Sequence, residues 1–233
     1  MTKLVSKQNE WGKVVLELAS EDLKLASYDN TLFELIGNVR KKKMLDYGCG
    51  PGVLAAALKM GGADVWAYDI SKEMRIATAN KIGADKVHEQ LSDIQPDYYD
   101  AIICNLVLCI VEEEEVEHIS KEMFTALKPD TGRIYAGFCN PHLLTVPETQ
   151  LDFRPEPKCA YYKKHSYMKT KKEGMYVIIE NHRPIEWYES MFAKTGFDVV
   201  AIHFTPTYQL NGKKIEDFII FELKRGNQNG ITK

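Results

Sequence analysis

The sequence of 233 residues lacks the features that mark secreted, zinc-binding and membrane-spanning proteins. Its five cysteines, at positions 49, 104, 109, 139 and 159, are odd in number and never spaced as C-x-x-C, which argues against a disulfide framework and a metal site. The longest apolar stretch, Ala101 to Val111, is interrupted by Asn105 and is far shorter than the about 20 residues that cross a bilayer. The first residues contain no apolar core of a secretion signal. We therefore expect a cytoplasmic protein with reduced thiols, no metal and no membrane contact.

A basic excess is also missing. Lysine and arginine number 30 against 33 aspartates and glutamates, which gives a formal net charge of −3, whereas dedicated nucleic-acid binders are usually strongly basic. Hydrophobic residues make up 45% and charged residues 27%, as is typical of a chain that folds around a core. The length fits one α/β domain, which we place over residues 1–225, with a flexible tail over residues 226–233.

Short apolar runs alternate with stretches of helical period through the first 139 residues. Such alternation indicates right-handed βαβ units and a doubly wound parallel sheet. The predicted helices are residues 9–37, Val53–Lys59, Lys72–Lys81 and Glu112–Leu127. The predicted strands are Met44–Tyr47, Asp64–Tyr68, Lys86–Leu91, Asp100–Asn105 and Arg133–Cys139.

The alternation ends at Asn140. Residues 140–183 are rich in proline and tyrosine and have no clean period, and we interpret them as a segment inserted after the fifth strand. A helix over Pro184–Lys194 and strands over Asp198–Phe204 and Asp217–Leu223 follow, and an Asn-Gly turn between these strands predicts antiparallel pairing. The predicted fold is a mostly parallel, seven-stranded sheet with an antiparallel last strand.

The glycine loop after the first of these strands decides the kind of cofactor. Gly48 and Gly50 fit the start of the dinucleotide pattern G-x-G-x-x-G, but its sixth position is Val53 and the third glycine comes early, at Gly52. Pro51 removes a backbone N–H where phosphate would need one. No G-K-[ST] follows, which excludes a Walker loop. The loop therefore does not favour a phosphate ligand.

With its flanks, the loop resembles a known family. The stretch LDYGCGPG resembles the first motif of class I S-adenosylmethionine (SAM)-dependent methyltransferases, and VWAYDIS resembles their second motif. LSDI, YDAIICNLVLCI and LKPDTGRIYAGF are similar to the segments after strand three, at strand four and before strand five. The resemblance covers about residues 28–139 and 183–223. It implies methyl transfer with SAM as cofactor and S-adenosylhomocysteine as product.

The resemblance also implies cofactor contacts that physical chemistry can rationalise. Glycines 48 and 50 allow close backbone approach, Asp69 offers two acceptor oxygens to the ribose, and Asp93 could accept from the adenine amino group. Ile70 and Met74 would lie against adenine, although a methionine at helical spacing is also a common core residue. The implied cofactor residues are Tyr28, Asp46, Gly48, Cys49, Gly50, Asp69, Ile70, Met74, Ser92, Asp93, Ile94, Asn105 and Leu106.

Within this set, three residues have more specific expected roles. Asp46 would support the glycine loop and favour a positively charged ligand, and the Ile94 N–H would donate to an adenine ring nitrogen. Tyr28 would close over the cofactor, although a tyrosine packed in the core is an alternative. Asn105 and Leu106 would line the methionine end.

The acceptor site should be built from residues that the family does not share. Methyl transfer from a sulfonium depends mainly on alignment, and a base is needed only where the acceptor keeps its proton. We consider His142 and His182 as bases and Cys109, Tyr161 and His165 as acceptor-binding residues. Between Leu151 and Met175, seven Lys or Arg stand against three Asp or Glu, so residues 140–183 form either a substrate lid or a solvated surface loop.

Three functions follow from the sequence. The first is methylation of O or N on a small molecule, aromatic or anionic, by a monomer or homodimer. The second is methylation of transfer RNA or another RNA, with the basic segment contacting phosphates, although the overall charge makes a nucleic-acid partner the lesser expectation. The third is a catalytically silent SAM-binding partner protein.

Overall fold

The computed structural model describes residues 3–5, 26–145, 160–171 and 176–226. Most of the predicted first helix, residues 9–25, lies outside the described residues, as do Cys159, residues 146–159 and 172–175 of the predicted lid, and all of the predicted tail except Gly226.

Strands and helices alternate in the described chain up to residue 139, as the sequence predicts. The strands are β1 (Lys3–Val5), β2 (Lys43–Tyr47), β3 (Asp64–Tyr68), β4 (Ala101–Asn105), β5 (Arg133–Cys139), β6 (His165–Lys171), β7 (Tyr176–His182), β8 (Phe197–Phe204), β9 (Tyr208–Leu210), β10 (Lys213–Ile215) and β11 (Phe218–Arg225). The helices are α1 (Ala26–Ile36), α2 (Val53–Met60), α3 (Lys72–Ile82), α4 (Glu113–Ala126) and α5 (Ile185–Lys194). Short 3-10 segments occupy Ala84–Lys86, Leu91–Asp93 and Pro141–Thr145.

The main sheet has six strands in the order β3-β2-β4-β5-β11-β8. Strands β3, β2, β4 and β5 run parallel, and β11 is antiparallel to both β5 and β8. The first four residues of β4 are buried, as expected of a central parallel strand with both faces covered. The predicted α/β class and the antiparallel last strand are therefore confirmed.

The predicted strand over Lys86–Leu91 is wrong, and with it the seven-stranded sheet. Val87 makes only an isolated parallel bridge to Ala67, and the His88 N–H donates to the Ala67 carbonyl at 2.9 Å. The chain then turns, because the Asp93 carboxylate accepts from the Gln90 N–H at 2.9 Å. Aspartate side chains compete with sheet pairing in this way, and here the local turn replaces the strand.

The segment after β5 contains regular structure that the sequence period did not reveal. Strands β6 and β7 form an antiparallel hairpin, and β1 pairs with β7 to complete a separate three-stranded sheet. The Asn-Gly turn closes a second hairpin, β9–β10, because Asn211 and Gly212 both have positive φ, at 50° and 76°. The turn therefore lies between β8 and β11, whose antiparallel pairing is as predicted.

The hairpin is fixed to the main sheet by a buried arginine. Arg183 is 2% exposed and donates to the carbonyls of Leu108 at 3.0 Å and Val111 at 2.6 Å. The Asn181 N–H donates to the Cys109 carbonyl at 2.7 Å. Charge-assisted hydrogen bonds of this kind are strong. The end of β7 is thereby held against the loop that follows β4.

Helix α2 begins at Gly52, where a side chain would not fit. Gly52 has a φ of 74°, and a Cβ atom there would lie 2.9 Å from the Thr78 Cα and 2.6 Å from its hydroxyl oxygen. The contact with the Thr78 backbone cannot be relieved by a rotamer change. Gly52 therefore lets the glycine loop pack against α3.

We predict that Gly52→Ala lowers the free energy of unfolding by clearly more than Gly212→Ala. Gly212 has a similar φ of 76° but nothing within 4 Å of its Cβ position, so its change measures left-handed strain alone, about 1 kcal/mol. Overpacking adds about 1–3 kcal/mol at Gly52. Urea denaturation of both variants measures the difference, and equal losses would show that α3 tolerates the extra methyl group.

Candidate functional site

The glycine loop lies at the carboxyl ends of the parallel strands, where open α/β sheets bind their ligands. The N–H groups of Gly48 and Cys49 donate to the Tyr68 carbonyl at 2.8 and 3.0 Å, which ties the loop to the end of β3. Gly48 has a φ of 74°, and a Cβ there would lie 2.3 Å from Val107. The loop is therefore held between β3 and the segment after β4.

Asp69 connects this loop to helix α3. Its Oδ2 accepts from the Gly50 N–H at 2.9 Å, and its Oδ1 accepts from the Ser71 N–H at 2.8 Å. Burial raises the pKa of Asp69, while the N–H groups of Ser71 and Gly50 and the charge of Arg75 oppose that rise. A carboxylate has about four acceptor positions, so both oxygens can accept a further hydrogen bond from a ligand.

Thr78 supports the glycine loop, a contact that the sequence analysis missed. It is fully buried on α3, and its hydroxyl donates to the Gly50 carbonyl at 2.9 Å while lying 3.3 Å from the Cys49 sulfur. Threonine is a weak helix former, and its position inside α3 is the signal that could have identified it. Thr78 thus supports the loop from the side opposite Asp69.

Three polar atoms below the loop are buried without a hydrogen-bond partner among the described residues. They are Asp46 Oδ2, Asn105 Oδ1 and the Tyr28 hydroxyl oxygen. They lie near one another, because Asn105 pairs with Gly137 across the sheet and the Tyr28 hydroxyl contacts Gly137. Each such atom costs about 1–3 kcal/mol. Together they fit the polar end of a bound molecule.

Asp46 dominates the electrostatics of this group. It is 2% exposed, and burial together with the charge of Asp69 raises the pKa of Asp46 to about 7, against the Ala55 N–H, which lowers it. A cation bound beside the carboxylate would favour its ionised form. The site is therefore suited to a positively charged group.

The predicted adenine contacts separate into exposed and buried residues. Ile70 is 55% exposed, whereas Met74 is 2% exposed and packs in the core. Ser92 and Asp93 are exposed on the 3-10 segment, where Asp93 Oδ2 already accepts from two backbone N–H groups. The Ile94 N–H donates to the Leu91 carbonyl at 3.1 Å, so the structure does not leave it as the free donor that was predicted.

Two predicted residues have surroundings that differ from a simple cofactor lining. Tyr28 is fully buried and packs edge-on against Phe218, with 5.2 Å between the ring centroids, so it lies beneath the site and does not close over it. Leu106 has a φ of 57°, a costly conformation for a residue other than glycine, and its N–H donates to the Gly137 carbonyl at 2.7 Å. This bond directs the chain away from β4 at Asn105.

The predicted acceptor residues form one cluster. The ring of His142 stacks on Tyr161 with centroids 4.4 Å apart, Tyr161 lies 5.9 Å from His182, and His165 lies 5.0 Å from His182. Cys109 and His182 line a cavity of about 20 Å³, room for about one water molecule, together with Tyr167, Glu180 and Phe138. Ring contacts and the shared cavity therefore bring all five predicted residues together.

Hydrogen bonds to backbone carbonyls show which ring nitrogen of two histidines donates. His182 Nε2 lies 2.6 Å from the Tyr161 carbonyl, so this nitrogen carries the proton and Nδ1 carries the lone pair. Burial lowers the pKa of His182, and the Tyr161 carbonyl opposes that change. His165 Nδ1 donates in the same way to the Lys163 carbonyl at 2.8 Å.

The chain is similar to known proteins over part of its length. Residues 45–135 match a family described as methyltransferase domain. A ubiquinone biosynthesis O-methyltransferase from Nitrosomonas europaea is 32% identical over 83 residues, which are 32% of this chain and 35% of that protein. A ribosomal protein L11 methyltransferase from Legionella pneumophila is 38% identical over 77 residues, 30% of this chain and 27% of that protein. The chain thus spans about a third of the length of the curated relatives that it matches.

Solved structures extend the similarity to the whole fold. An S-adenosylmethionine-dependent methyltransferase from Mesorhizobium loti has a TM-score of 0.62 at 19% identity, covering 84% of this chain and 96% of that one. The 1,6-didemethyltoxoflavin-N1-methyltransferase of Burkholderia thailandensis has a TM-score of 0.57 at 14% identity, covering 97% and 94%. Residues 45–135 therefore carry a methyltransferase domain, and the fold is one that SAM-dependent methyltransferases have. The family predicted from the sequence motifs is confirmed over that segment.

The structure contains a further buried pair that the sequence analysis missed. The Tyr167 hydroxyl donates to Glu180 Oε2 at 2.5 Å in the same small cavity, and burial followed by the Glu180 charge raises the pKa of Tyr167. The signal was a glutamate at the end of the apolar run YVIIE. The described residues contain no helix long and apolar enough to cross a membrane and no cluster of three or more potential metal ligands.

The raised pKa of Asp46 gives the protein a defined pH dependence of stability. In the unfolded chain Asp46 ionises near its ordinary value of 3.8, and in the folded chain it ionises near about 7. Between these values the unfolded state binds fewer protons, so the free energy of unfolding falls as pH rises and levels off above about 7.

We predict that Asp46→Asn stabilises the ligand-free protein at pH 8, by up to about 4 kcal/mol, and has little effect at pH 4. The amide keeps the shape of the side chain but cannot ionise. Urea denaturation of both proteins across this pH range measures the difference. Parallel stability curves at all pH values would contradict the raised pKa of Asp46.

Proposed function

We propose that the chain binds SAM and transfers its methyl group to an oxygen or nitrogen of a small-molecule acceptor. One observation carries the cofactor assignment: Asp46 and Asn105 have buried oxygens without a hydrogen-bond partner among the described residues, next to a glycine loop that Asp69 binds through the Gly50 N–H. A pocket of this kind is acidic and does not favour phosphate. It fits a ligand that combines an adenosine, an amino-acid end and a positive charge.

Different residues around the loop would bind different parts of the cofactor. SAM supplies a methyl group bonded to a sulfonium, which is a good leaving group. Asp69 would accept from the ribose hydroxyls, and the exposed side chain of Ile70 would cover one face of the adenine. Asp46 and Asn105 would accept from the ammonium of the methionine end. Because alignment supplies much of the rate enhancement, these contacts are the main contribution of the chain to methyl transfer.

The acceptor would lie against the aromatic cluster of Tyr161, His142 and His182. The β6–β7 hairpin would then act as a wall of the acceptor site, held there by Arg183. The names of two similar proteins, an O-methyltransferase of ubiquinone biosynthesis and a toxoflavin N1-methyltransferase, support a small aromatic acceptor. An acceptor that keeps its proton would lose it to His182 Nδ1, because Nε2 is committed to the Tyr161 carbonyl.

We predict that Asp69→Asn weakens S-adenosylhomocysteine binding at least about tenfold, because one oxygen of the doubly accepting carboxylate becomes an amide that cannot accept. Asp85→Asn, an exposed change on the neighbouring 3-10 segment, should leave affinity unchanged. Calorimetry measures both affinities.

We also expect S-adenosylhomocysteine to bind more tightly at pH 8 than at pH 6, and Asp46→Asn should remove this dependence. No measurable binding to the unaltered chain would refute the proposed cofactor.

The acceptor itself can be identified by its gain of mass. Incubation with SAM and a panel of phenols, heteroaromatic amines and anionic metabolites should give one product that is heavier by one methyl group. Transfer RNA and ribosomal protein L11 belong in the same panel. Methylation of RNA or protein without methylation of any small molecule would contradict the proposed acceptor class, and S-adenosylhomocysteine binding without any product would favour a silent SAM-binding partner.

We predict that His182→Gln lowers kcat by about 100-fold for an acceptor that must lose a proton, and that it removes the acidic limb of the pH profile. His142→Gln should keep that limb, because His142 is exposed and stacks on Tyr161 from outside. Steady-state rates between pH 5 and 8 make the comparison. An acidic limb retained in His182→Gln would exclude His182 as the base.

A further inference from the structure

A second, larger cavity lies at the opposite edge of the main sheet. It measures about 220 Å³, the volume of about seven water molecules, and is lined by Ile36, Lys42, Asp100, Ala101, Thr131 and Arg133, among others. Lys42, Asp100 and Arg133 stand at the amino ends of β2, β4 and β5, whereas the glycine loop and Asn105 lie at the carboxyl ends. This cavity, which we call the basic cavity, is therefore separate from the proposed SAM site.

Two cationic side chains, Lys42 and Arg133, line the basic cavity and have uncommitted N–H donors within the described chain. Lys42 is half-buried, and its ammonium has no ion-pair or hydrogen-bond partner among the described residues. Arg133 donates through Nη1 to the Gly132 carbonyl at 2.9 Å and approaches Glu222 through Nε at 3.6 Å, which leaves Nη2 uncommitted within the described chain. A partly desolvated cation without a counter-charge favours an anionic ligand.

Asp100 does not neutralise these cations. Its Oδ1 lies 2.6 Å from the Lys128 ammonium, and its Oδ2 accepts from the Lys43 N–H at 2.8 Å. Burial would raise the pKa of Asp100, but the hydrogen bond from Lys128 and the contacts with Lys43 hold it below its ordinary value. Its negative charge is thus matched by Lys128. Glu222 offsets the charge of Arg133, and the charge of Lys42 remains without a counter-charge among the described residues.

We propose that the basic cavity is a binding site for a small oxyanion, a phosphate or carboxylate group of a metabolite. Lys42 would supply a point charge, Arg133 a directional N–H donor and Thr131 a hydroxyl. Ile36 and Ala101 give the cavity an apolar wall, so a ligand with a short hydrocarbon part fits better than a bare ion. The volume holds a small molecule and excludes a whole nucleotide cofactor.

Calorimetry with inorganic phosphate, and in parallel with succinate, tests the site on the full chain. Small surface-accessible anion sites bind with dissociation constants of about 1 mM, so saturable heat in that range is expected from at least one of the two probes. The stronger probe identifies the ligand class. No saturable binding of either probe would overturn the proposal.

Substitutions locate the site and control for general electrostatics. Lys42→Gln and Arg133→Gln should each lower the affinity for the more tightly bound probe at least about tenfold. Lys41→Gln removes the same charge one residue away on an exposed position and should change affinity less than about twofold. Equal losses in all three variants would mean charge screening without a site and would overturn the proposal.

Two further measurements separate this inference from the other conclusions. S-adenosylhomocysteine affinity should be the same in Lys42→Gln as in the unaltered chain, which also verifies that the variant is folded. A single-stranded RNA probe should bind no better to the unaltered chain than to Lys42→Gln. RNA retention that depends on Lys42 would replace the small oxyanion by a nucleic-acid contact and would overturn the proposal.

Discussion

The carboxylate of Asp69 holds together the two segments on which the candidate cofactor site depends. One oxygen accepts from Gly50 in the glycine loop, and the other accepts from Ser71, the residue that caps helix α3. Thr78, one and a half turns into the same helix, donates back to the Gly50 carbonyl. The loop is therefore fixed through both its N–H and its C=O, and helix α3 cannot shift without moving it. Preorganisation of this kind lowers the cost of ordering the loop around a ligand.

The same region carries a cost in stability. Asp46, Asn105 and Tyr28 place polar atoms in the core that have no hydrogen-bond partner in the described part of the chain. The folded state must also bury the charge of Asp46 above pH 7. Proteins retain such features at functional sites, where a bound molecule supplies the missing contacts. Binding of a cation would satisfy Asp46 and release its proton, so stability and affinity should depend on pH in opposite directions. This opposition connects the burial of a single carboxylate to both folding and function.

The sequence predicted the parts of the structure that follow from local pattern. Hydrophobic period and turn chemistry determine these parts, so the sequence predicted them. They are the parallel strands, their helices, the antiparallel last strand and the residues of the glycine loop. The strand predicted over Lys86–Leu91 does not form, because the Asp93 side chain closes a turn there. The hydrophobic period of the sequence does not reveal such a turn. The hairpin β6–β7 was missed because its partner β1 lies far away in the chain.

The roles of individual site residues depended on burial that sequence does not encode. Tyr28 and Met74 fit the cofactor motif by position, yet the structure places both in the core. Thr78 belongs to no motif, and its role follows only from the packing of α3 against Gly52. Position along the chain predicts which strand end a residue occupies, whereas its depth depends on neighbours from other elements.

The buried contacts of Arg183 show how the acceptor side is joined to the cofactor side. Arg183 bonds to the carbonyls of Leu108 and Val111, in the segment that begins at Asn105 beside the proposed methionine end. His182 precedes Arg183 in the chain, so the same anchor sets the position of the imidazole relative to β4. Because Arg183 is almost fully buried, any displacement of the hairpin would leave a charge without partners, which is strongly unfavourable. The end of β7, which would form the base of the proposed acceptor wall, is therefore held rigidly against the segment after β4.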